Sequence, residues 1–573
     1  MPGGFRIEVK LDRASRSLAT SVQPKPTFEC TNLAIWSDEP TIRIDSDTFL
    51  IGRVFSRRSP CHSILNWPSG DGSHLMAGKG DELRREYWGG YVAVHRDGSG
   101  AVRIFRDPSG GLPCYFKREA ASVTCADDIS LLASPARGQV NFAEVGRILA
   151  SGDARGRRTC IIGVEELIAG ECLVISGDGV DTETWWAPWD HISPPPQADF
   201  DELALRLRAT IEACAGGWAS RYASILLGTS GGLDSSLVAA AAAPKAERLT
   251  CLTLFGPDFD GDERRYASAL ADALNLPLRE MPRAVDHVDV TRASAPNHPW
   301  PIVPLGRQTN EAIHRRIETD LPINAHFTGN GGDAILCSMR SAIPFVDRVL
   351  TEGPRAGLGD TLRDICLLTG ADRRTVLRHA WDRYRRHRGR HQIRYRGLGL
   401  TTDAFKSARA AGPTHPWLTP PVDVLPGKSV HIAYLMRAQK SLELYPRRNS
   451  PPHVAPLLSQ PIIELCLSIP TWMWVAGGLN RAVARRAFEN RLPEAITRRT
   501  QKGGPGGLDL QIYRQHRDDL HEQLRGGLLA ANGIVDPKIL DGPEDPSWRG
   551  TERIQRILEF VAAENWVRHW TNA

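Results

Sequence analysis

Ala223-Ser-Ile-Leu-Leu-Gly-Thr-Ser-Gly-Gly-Leu-Asp-Ser-Ser236 decides how the C-terminal part of this chain folds. The apolar run reads as a buried strand, Ser230-Gly231-Gly232 as a tight turn, and the alanine-rich stretch from Ser235 onward as a helix. Glycines let a backbone approach an oxyanion closely, the amides of such a turn point outward together, and a helix N-terminus adds partial positive charge. The segment is therefore a cradle for an anion. No lysine follows the glycines, so it is not the GxxxxGK[ST] loop that grips β- and γ-phosphates. Packing of small residues at a strand-to-helix turn does not by itself call for Ser, two Gly, Asp and two Ser together.

Outward from this segment the same rhythm continues. Helical stretches (FDELALRLRATIEACAGGWA, SSLVAAAAA, ERRYASALADALNL) alternate with short apolar strands (ASILLG, RLTCLTLFG). That alternation predicts parallel strands with crossover helices, an α/β layer. Ile323-Asn-Ala-His-Phe-Thr-Gly-Asn-Gly-Gly-Asp333 is a second strand ending in glycines and an aspartate. Ligands of open parallel sheets collect at the carboxyl ends of strands, so Asp234 and Asp333 are placed to share a magnesium–triphosphate complex. Magnesium takes one or two carboxylates plus phosphate oxygens and waters, which suits this sparse pair. Taken alone, Asp333 reads equally well as a turn residue.

From Phe5 to about Trp189 the sequence is different. Alternating apolar residues broken by Asp-Gly and Ser-Gly (FRIEVKL, TIRIDSDTFLIGRVF, YVAVHRDGSGAVRIF, CLVISGDGVDTETWW) predict hairpins and a β-rich half. His191-Ile-Ser-Pro-Pro-Pro-Gln197 cannot continue a helix or a central strand, because proline lacks the amide donor and fixes φ. The boundary is placed there, giving domains 1–195 and 196–573.

Composition sets the outer limits. A chain of 573 residues is long enough for two or more cores, and 15 Trp and 15 Phe supply bulky material for them. The net charge of +5 leaves no global nucleic-acid footprint. Eleven cysteines without a CxxC pair argue against a disulfide framework and against a zinc site. The N-terminus lacks the apolar core of a signal peptide and no window resembles a membrane span, so a cytoplasmic protein with no membrane partner is expected.

The SGGxDS turn resembles the pyrophosphate loop of ATP pyrophosphatases, and the C-terminal half is similar to the synthetase domain of the asparagine synthetase and β-lactam synthetase superfamily over roughly 203–507. Gly261-Asp-Glu-Arg-Arg-Tyr-Ala-Ser-Ala-Leu270 resembles that family's helix after its second strand. HVAPLLSQPIIELCLSIP and RLPEAITRRTQKGG resemble its Pro-Leu-Leu-Asp block and its Leu-Pro…Arg…Lys-Gly ending. The resemblance implies ATP and Mg2+ as cofactors, with Gly228, Ser230, Gly231, Gly232, Asp234, Ser235, Leu254, Thr328 and Gly329 at the nucleotide, Asp234 and Asp333 at the metal, and Lys502 as the catalytic lysine. Without it, Lys502 is a basic loop residue. The implied fold is α/β: an N-terminal, β-rich, glutaminase-like (Ntn-type) domain, then a pyrophosphate-loop synthetase domain with a parallel sheet.

The N-terminal half resembles class II glutaminase domains through Trp88-Gly-Gly-Tyr-Val-Ala and Arg106-Asp-Pro-Ser-Gly-Gly-Leu-Pro113. Those amidases need a cysteine next to the initiator methionine, and Pro2 stands there, so glutamine hydrolysis is not expected. An amine already on the substrate is then required. β-Lactam synthetases and lasso peptide cyclases are two solutions. Asn330 stands where asparagine synthetases have Glu and β-lactam synthetases Tyr, and an amide side chain is no general base. Pro452 and Ser459 replace the Glu and Asp of the acceptor pocket. A peptide α-amine, which ordinarily titrates at roughly 7.7–8.0, needs no strong base. The expected activity is therefore ATP-dependent, glutamine-independent macrolactam formation. An Asp or Glu side chain of a precursor peptide is joined to its N-terminal amine, and a leader-processing protein is a candidate partner. A β-lactam-synthetase-like or asparagine-synthetase-like enzyme acting on a small molecule stays open.

Arg383-Tyr-Arg-Arg-His-Arg-Gly-Arg-His-Gln-Ile-Arg-Tyr-Arg396 is dense in arginine with interleaved aromatics. Such a run grips RNA in some proteins, which keeps a tRNA-modifying enzyme as a further alternative. A solvated helical face, or a dock for an acidic leader or core peptide, accounts for it equally. With the remainder near neutral and no thiolation chemistry in the sequence, no nucleic-acid partner is expected.

Overall fold

In the computed structural model the described residues are 4–11, 25–58, 63–67, 72–136, 138–152, 155–177, 179–194, 199–256, 262–353, 357–386, 393–442, 444, 447–448, 450–500, 506–542 and 548–572. The N-terminal part is built from β1 (Phe5–Lys10), β2 (Phe28–Cys30), β3 (Leu33–Ser37), β4 (Thr41–Arg43), β5 (Thr48–Ser56), β6 (Ser63–Ile64) and β7 (Tyr87–Arg96). Then come β8 (Val102–Arg106), β9 (Tyr115–Arg118), β10 (Ser122–Ala126), β11 (Val164–Glu166), β12 (Glu171–Ser176) and β13 (Gly179–Thr184). They form two sheets, ordered β11-β9-β10-β1-β3-β2 and β13-β12-β8-β7-β5-β4, with β6 beside β5. Every pairing in both is antiparallel. The Asp-Gly and Ser-Gly turn at 97–100 joins β7 to β8 as a hairpin, as its turn chemistry predicts, and β12 pairs with β13 antiparallel.

Alternation does the packing. Phe5, Ile7 and Val9 of β1 point the same way and meet Phe49, Ile51, Val92, Val94 and Ile104 of the other sheet in one buried layer. The far face of the second sheet is closed by Met76 and Leu83 of α1 (Ser73–Glu86), which the sequence reading missed. Also missed is α2 (Phe142–Ala150), whose Val145 and Ile148 lie in a cluster with Tyr115 and Ala126.

Past the proline linker, of which residues 195–198 lie outside the described residues, α3 (Phe200–Ala219) starts where Asp199 accepts hydrogen bonds from the amides of Asp201 and Glu202. A parallel sheet follows from β14 (Ile225–Gly228), β15 (Leu249–Phe255), β16 (Leu278–Pro282), β17 (Ala325–Thr328) and β18 (His453–Val454), in the order β16-β15-β14-β17-β18. Crossover helices α4 (Leu233–Ala242), α5 (Arg264–Leu274) and α6 (Arg307–Asp320) connect its strands, and α7 (Gly332–Ile335) follows β17. Ile225, Leu227, Ala325 and Phe327 face α3 and α4, while Leu226 and Leu252 face Ile313 and Ile317 of α6. Both faces are buried, so these strands read as continuous apolar runs.

The two halves are welded. Phe55, Trp88 and Trp186 belong to the same buried cluster as α3, α4 and the parallel sheet. Glu464 accepts from Arg57 at 2.7 Å and from the Trp186 indole at 3.1 Å. No described helix is long and apolar enough to cross a membrane.

Candidate active site

Parallel register sets the site's frame. Gly228 of β14 is the partner of Leu252 on β15 and of Thr328 on β17, so Gly228, Leu254 and Thr328 lie together at the carboxyl edge of the sheet. The turn Ser230-Gly231-Gly232 leaves that edge and enters α4 with Gly232 as N-cap and no side chain capping the free amides. A helix start left open in this way is a natural seat for phosphate.

The turn requires its glycine. Gly231 has φ +60°, and a Cβ there would stand 2.3 Å from the Cβ of Tyr266 and 2.4 Å from its carbonyl carbon. Thr229 Oγ accepts from the Gly231 amide at 3.2 Å and lies 3.2 Å from Ser235 Oγ, which ties the two ends of the turn. Arg499 donates to the Ser230 carbonyl at 3.1 Å, pairs with Glu263, and lies 3.9 Å over the Tyr266 ring. The Glu and Tyr of the Asp262-Glu-Arg-Arg-Tyr266 stretch thus buttress the Ser230-Gly231-Gly232 turn from the side.

The β17 loop closes on the same spot. A Cβ on Gly329 would meet the Ser235 amide nitrogen at 2.5 Å, and one on Gly332 would meet the Asp234 side chain at 2.4 Å. This loop therefore lies flat on the start of α4 and brings the two aspartates together. Asp234 is buried, 8 % exposed, whereas the Asp333 carboxylate is 54 % exposed.

Between them lies Arg481, a residue the sequence reading did not single out. Its Nη1 donates to both Asp234 oxygens at 2.8 Å and to Asp333 Oδ1 at 2.6 Å. It sits at φ +56°, in the left-handed region, at the start of the helix Ala482–Ala487. Arg485, one turn on, donates to the carbonyls of Asn480, Thr497 and Arg499. Burial, and then the charge of Arg481, push its pKa down to about 10. The i, i+4 arginine pair was visible as Arg481-Ala-Val-Ala-Arg485, but nothing local says that it reaches residues 247 positions earlier.

The other expected residues are divided. Asn330 follows the strand end, its amide on Thr328 Oγ at 3.2 Å. Ser459 is buried and engaged: it donates to the Pro456 carbonyl and accepts from the Trp218 indole. Pro452 accepts from the His326 amide in the sheet. Lys502, Pro2 and residues 387–392 of the arginine run lie outside the described residues. Within that run, Arg396 pairs with Glu559 at 2.9 Å.

Two carboxylates at one point suit a magnesium ion that also takes phosphate oxygens. The open helix start suits the phosphates themselves. What the geometry supplies is an open helix start beside two carboxylates that Arg481 bridges.

The family model described as asparagine synthase matches residues 222–568. No curated protein matches the chain. Among solved structures, the chain is similar at 12% identity to a B. subtilis glutamine phosphoribosylpyrophosphate amidotransferase complexed with ADP and GMP, over 49% of this chain and 59% of that one, at a TM-score of 0.19. The chain thus spans a little under two thirds of that protein's length. A structure described as the allosteric regulatory enzyme of purine biosynthesis matches at 12% identity over 49% of this chain and 75% of its own, at a TM-score of 0.20.

Proposed function

Since the chain belongs to the asparagine synthase family over residues 222–568, we propose that it is an ATP-dependent ligase that adenylates a carboxylate and transfers it to an amine. The observation that carries this reading is the meeting of Asp234 and Asp333 at the open start of α4. In the first step a carboxylate oxygen attacks the α-phosphorus of ATP and pyrophosphate leaves. In the second an amine attacks the acyl carbon, its proton passes to solvent, and AMP leaves. Ser230, Gly231, Gly232 and Ser235 hold the phosphates, while Gly228, Leu254, Thr328 and Gly329 line the adenosine side. Mg2+ held by Asp234 and Asp333 would neutralise phosphate charge. Lys502 stabilises charge on the α-phosphate and on the tetrahedral intermediate.

The substrate proposed is a precursor peptide, whose Asp or Glu side chain is joined to its own N-terminal amine as a macrolactam. Asn330 supports this, because an amide beside the nucleotide edge offers no base and an α-amine needs none. Glutamine is not required.

The test is incubation with ATP, Mg2+ and candidate precursor peptides, read as AMP release and loss of one water from the peptide. AMP release with a small amino acid and not with peptides would favour the small-molecule reading. Glutamate formed from added glutamine would sink the glutamine-independent one. Asp234→Asn and Asp333→Asn variants that still release AMP at the parent rate would show that the phosphates do not sit at these two carboxylates.

A further inference from the structure

On the opposite face of the nucleotide-bearing strand, three histidines meet. His326 of β17 is the register partner of Leu226 on one side and of His453 of β18 on the other, so its side chain lies on the α6 face of the sheet. His314 comes down from α6. The His326 ring lies 4.4 Å from His314 and 4.6 Å from His453, and His314 and His453 are 5.6 Å apart, which makes a triangle. One nitrogen from each ring lies within 4.8 Å of the others.

The tautomer of the central ring is set. Glu318, one helical turn beyond His314, accepts from His326 Nε2 at 2.6 Å. The proton is therefore on Nε2, and Nδ1 carries the lone pair. That Nδ1 is buried and has no hydrogen-bond partner among the described residues, in a side chain 3 % exposed. A buried imidazole nitrogen without a partner is costly in a folded core. A carboxylate on one ring nitrogen with the other left bare is the arrangement metal-binding histidines adopt, because it orients the ring and raises its basicity.

We propose that His314, His326 and His453 form a binding site for one borderline divalent transition ion of the zinc class, with Glu318 as the positioning carboxylate behind His326. Three nitrogens and no first-rank oxygen exclude the hard ions Mg2+ and Ca2+ and favour Zn2+, Co2+ or Ni2+. Nitrogens bound at about 2.0–2.1 Å in tetrahedral geometry stand roughly 3.4 Å apart. Binding must therefore draw the three nitrogens together and turn His314 and His453 out of their stack on His326, at 13° and 18°, until the lone pairs converge. His314 and His453 are partly exposed, which gives an ion a way in and leaves a fourth position for water. The lack of CxxC pairs bears only on cysteine-based sites. An ion here would tie α6 to the edge strand β18 and stiffen β17 two residues before Thr328.

The experiment uses the full chain without a histidine tag, stripped of metal and titrated with Co2+ in the absence of nucleotide. One equivalent should bind, with the intense visible absorption of four-coordinate cobalt, and Zn2+ should displace it. Zn2+ should also raise the melting temperature. His314→Asn and His453→Asn should each weaken Co2+ binding at least tenfold and abolish the Zn2+-dependent rise in melting temperature. Both are partly exposed positions, and circular dichroism checks that the variants fold. An Asp234→Asn/Asp333→Asn double variant should keep the cobalt spectrum, which separates this site from the phosphate seat. Absence of stoichiometric binding, or binding that survives loss of both His314 and His453, overturns the proposal.

Discussion

Arg481 is held in a backbone conformation that costs a non-glycine residue about 1–2 kcal/mol. Its return is three hydrogen bonds to two carboxylates that would otherwise repel each other. Replacing it with Met leaves Asp234 buried without its counter-charge. In magnesium-free buffer Arg481→Met should therefore lose about 1–3 kcal/mol, less than a fully buried pair because Asp333 is half exposed. Millimolar Mg2+ should recover more of the melting temperature in this variant than in the parent, because it can take the place the guanidinium leaves. Equal Mg2+ effects on both proteins would show that the aspartates do not bind the ion. Lys502 is the other charge to test. Lys502→Met should keep ATP binding, which the two strand-end loops supply, and lower turnover by about 10²–10³. Lys502→Arg should rescue only in part, since a planar fork cannot present one compact charge to two successive oxyanions. Normal turnover in Lys502→Met would return this residue to the role of a basic loop residue.

Elements whose packing is settled by their own residues were legible in the sequence. The stretch FDELALRLRATIEACAGGWA coincides with α3, and the SILLG strand, the Ser-Gly-Gly turn and the alanine helix come in the predicted order. The parallel direction of the strands was legible too, and it pairs Gly228 with Leu252 and Thr328 at the sheet's carboxyl edge; that Leu254 belongs with Gly228 and Thr328 came from the family resemblance alone. What the reading missed depends on distant partners. Arg481 matters only because the β17 loop and α4 converge on it, and His314, His326 and His453 meet only through the β17–β18 pairing. No spacing within a single segment encodes either meeting. α1 escaped because its course breaks at Ala77–Gly80, where no helical period survives. The Ser230-Gly231-Gly232 turn is the element to test. Gly231→Ala adds about 1–2 kcal/mol of left-handed strain and drives a methyl into the Tyr266 backbone, so Ser230 and the start of α4 must shift. AMP formation should fall about a hundredfold, as misplacement by an ångström does, while the protein stays folded by circular dichroism. An unchanged rate would mean that the nucleotide does not sit on this turn.

At the scale of the molecule, the sharp change in sequence character near residue 195 does not divide the packing. Trp88 stacks on Phe55 at 4.4 Å, and both lie in the cluster that also holds Leu227, Leu237 and Phe327 of the parallel sheet and its helix. At a second junction the helix Trp548–Thr571 sets Trp566 and Trp570 in one cluster with Tyr115, Val145 and Ile148. The Arg556 guanidinium, within that helix, donates to the Leu149 carbonyl at 3.0 Å. Multidomain chains commonly unfold in separate steps. Here each half buries its large aromatics against the other, and exposing that surface costs about 25 cal/mol per Å2 of apolar area. The chain should therefore melt in a single calorimetric transition. Glu464 tests the weld directly, since it receives Arg57 and Trp186 from one half and Gln460 from its own. Glu464→Ala leaves the buried Trp186 indole N–H unpaired and the Arg57 guanidinium without its carboxylate, a loss of about 1–3 kcal/mol. If the halves are one cooperative unit, the whole transition moves down together and keeps its single peak. Two peaks in the parent, or a variant in which only part of the heat shifts, would show that the halves unfold independently and that the N-terminal sandwich is an attachment to the synthetase half and no part of its core.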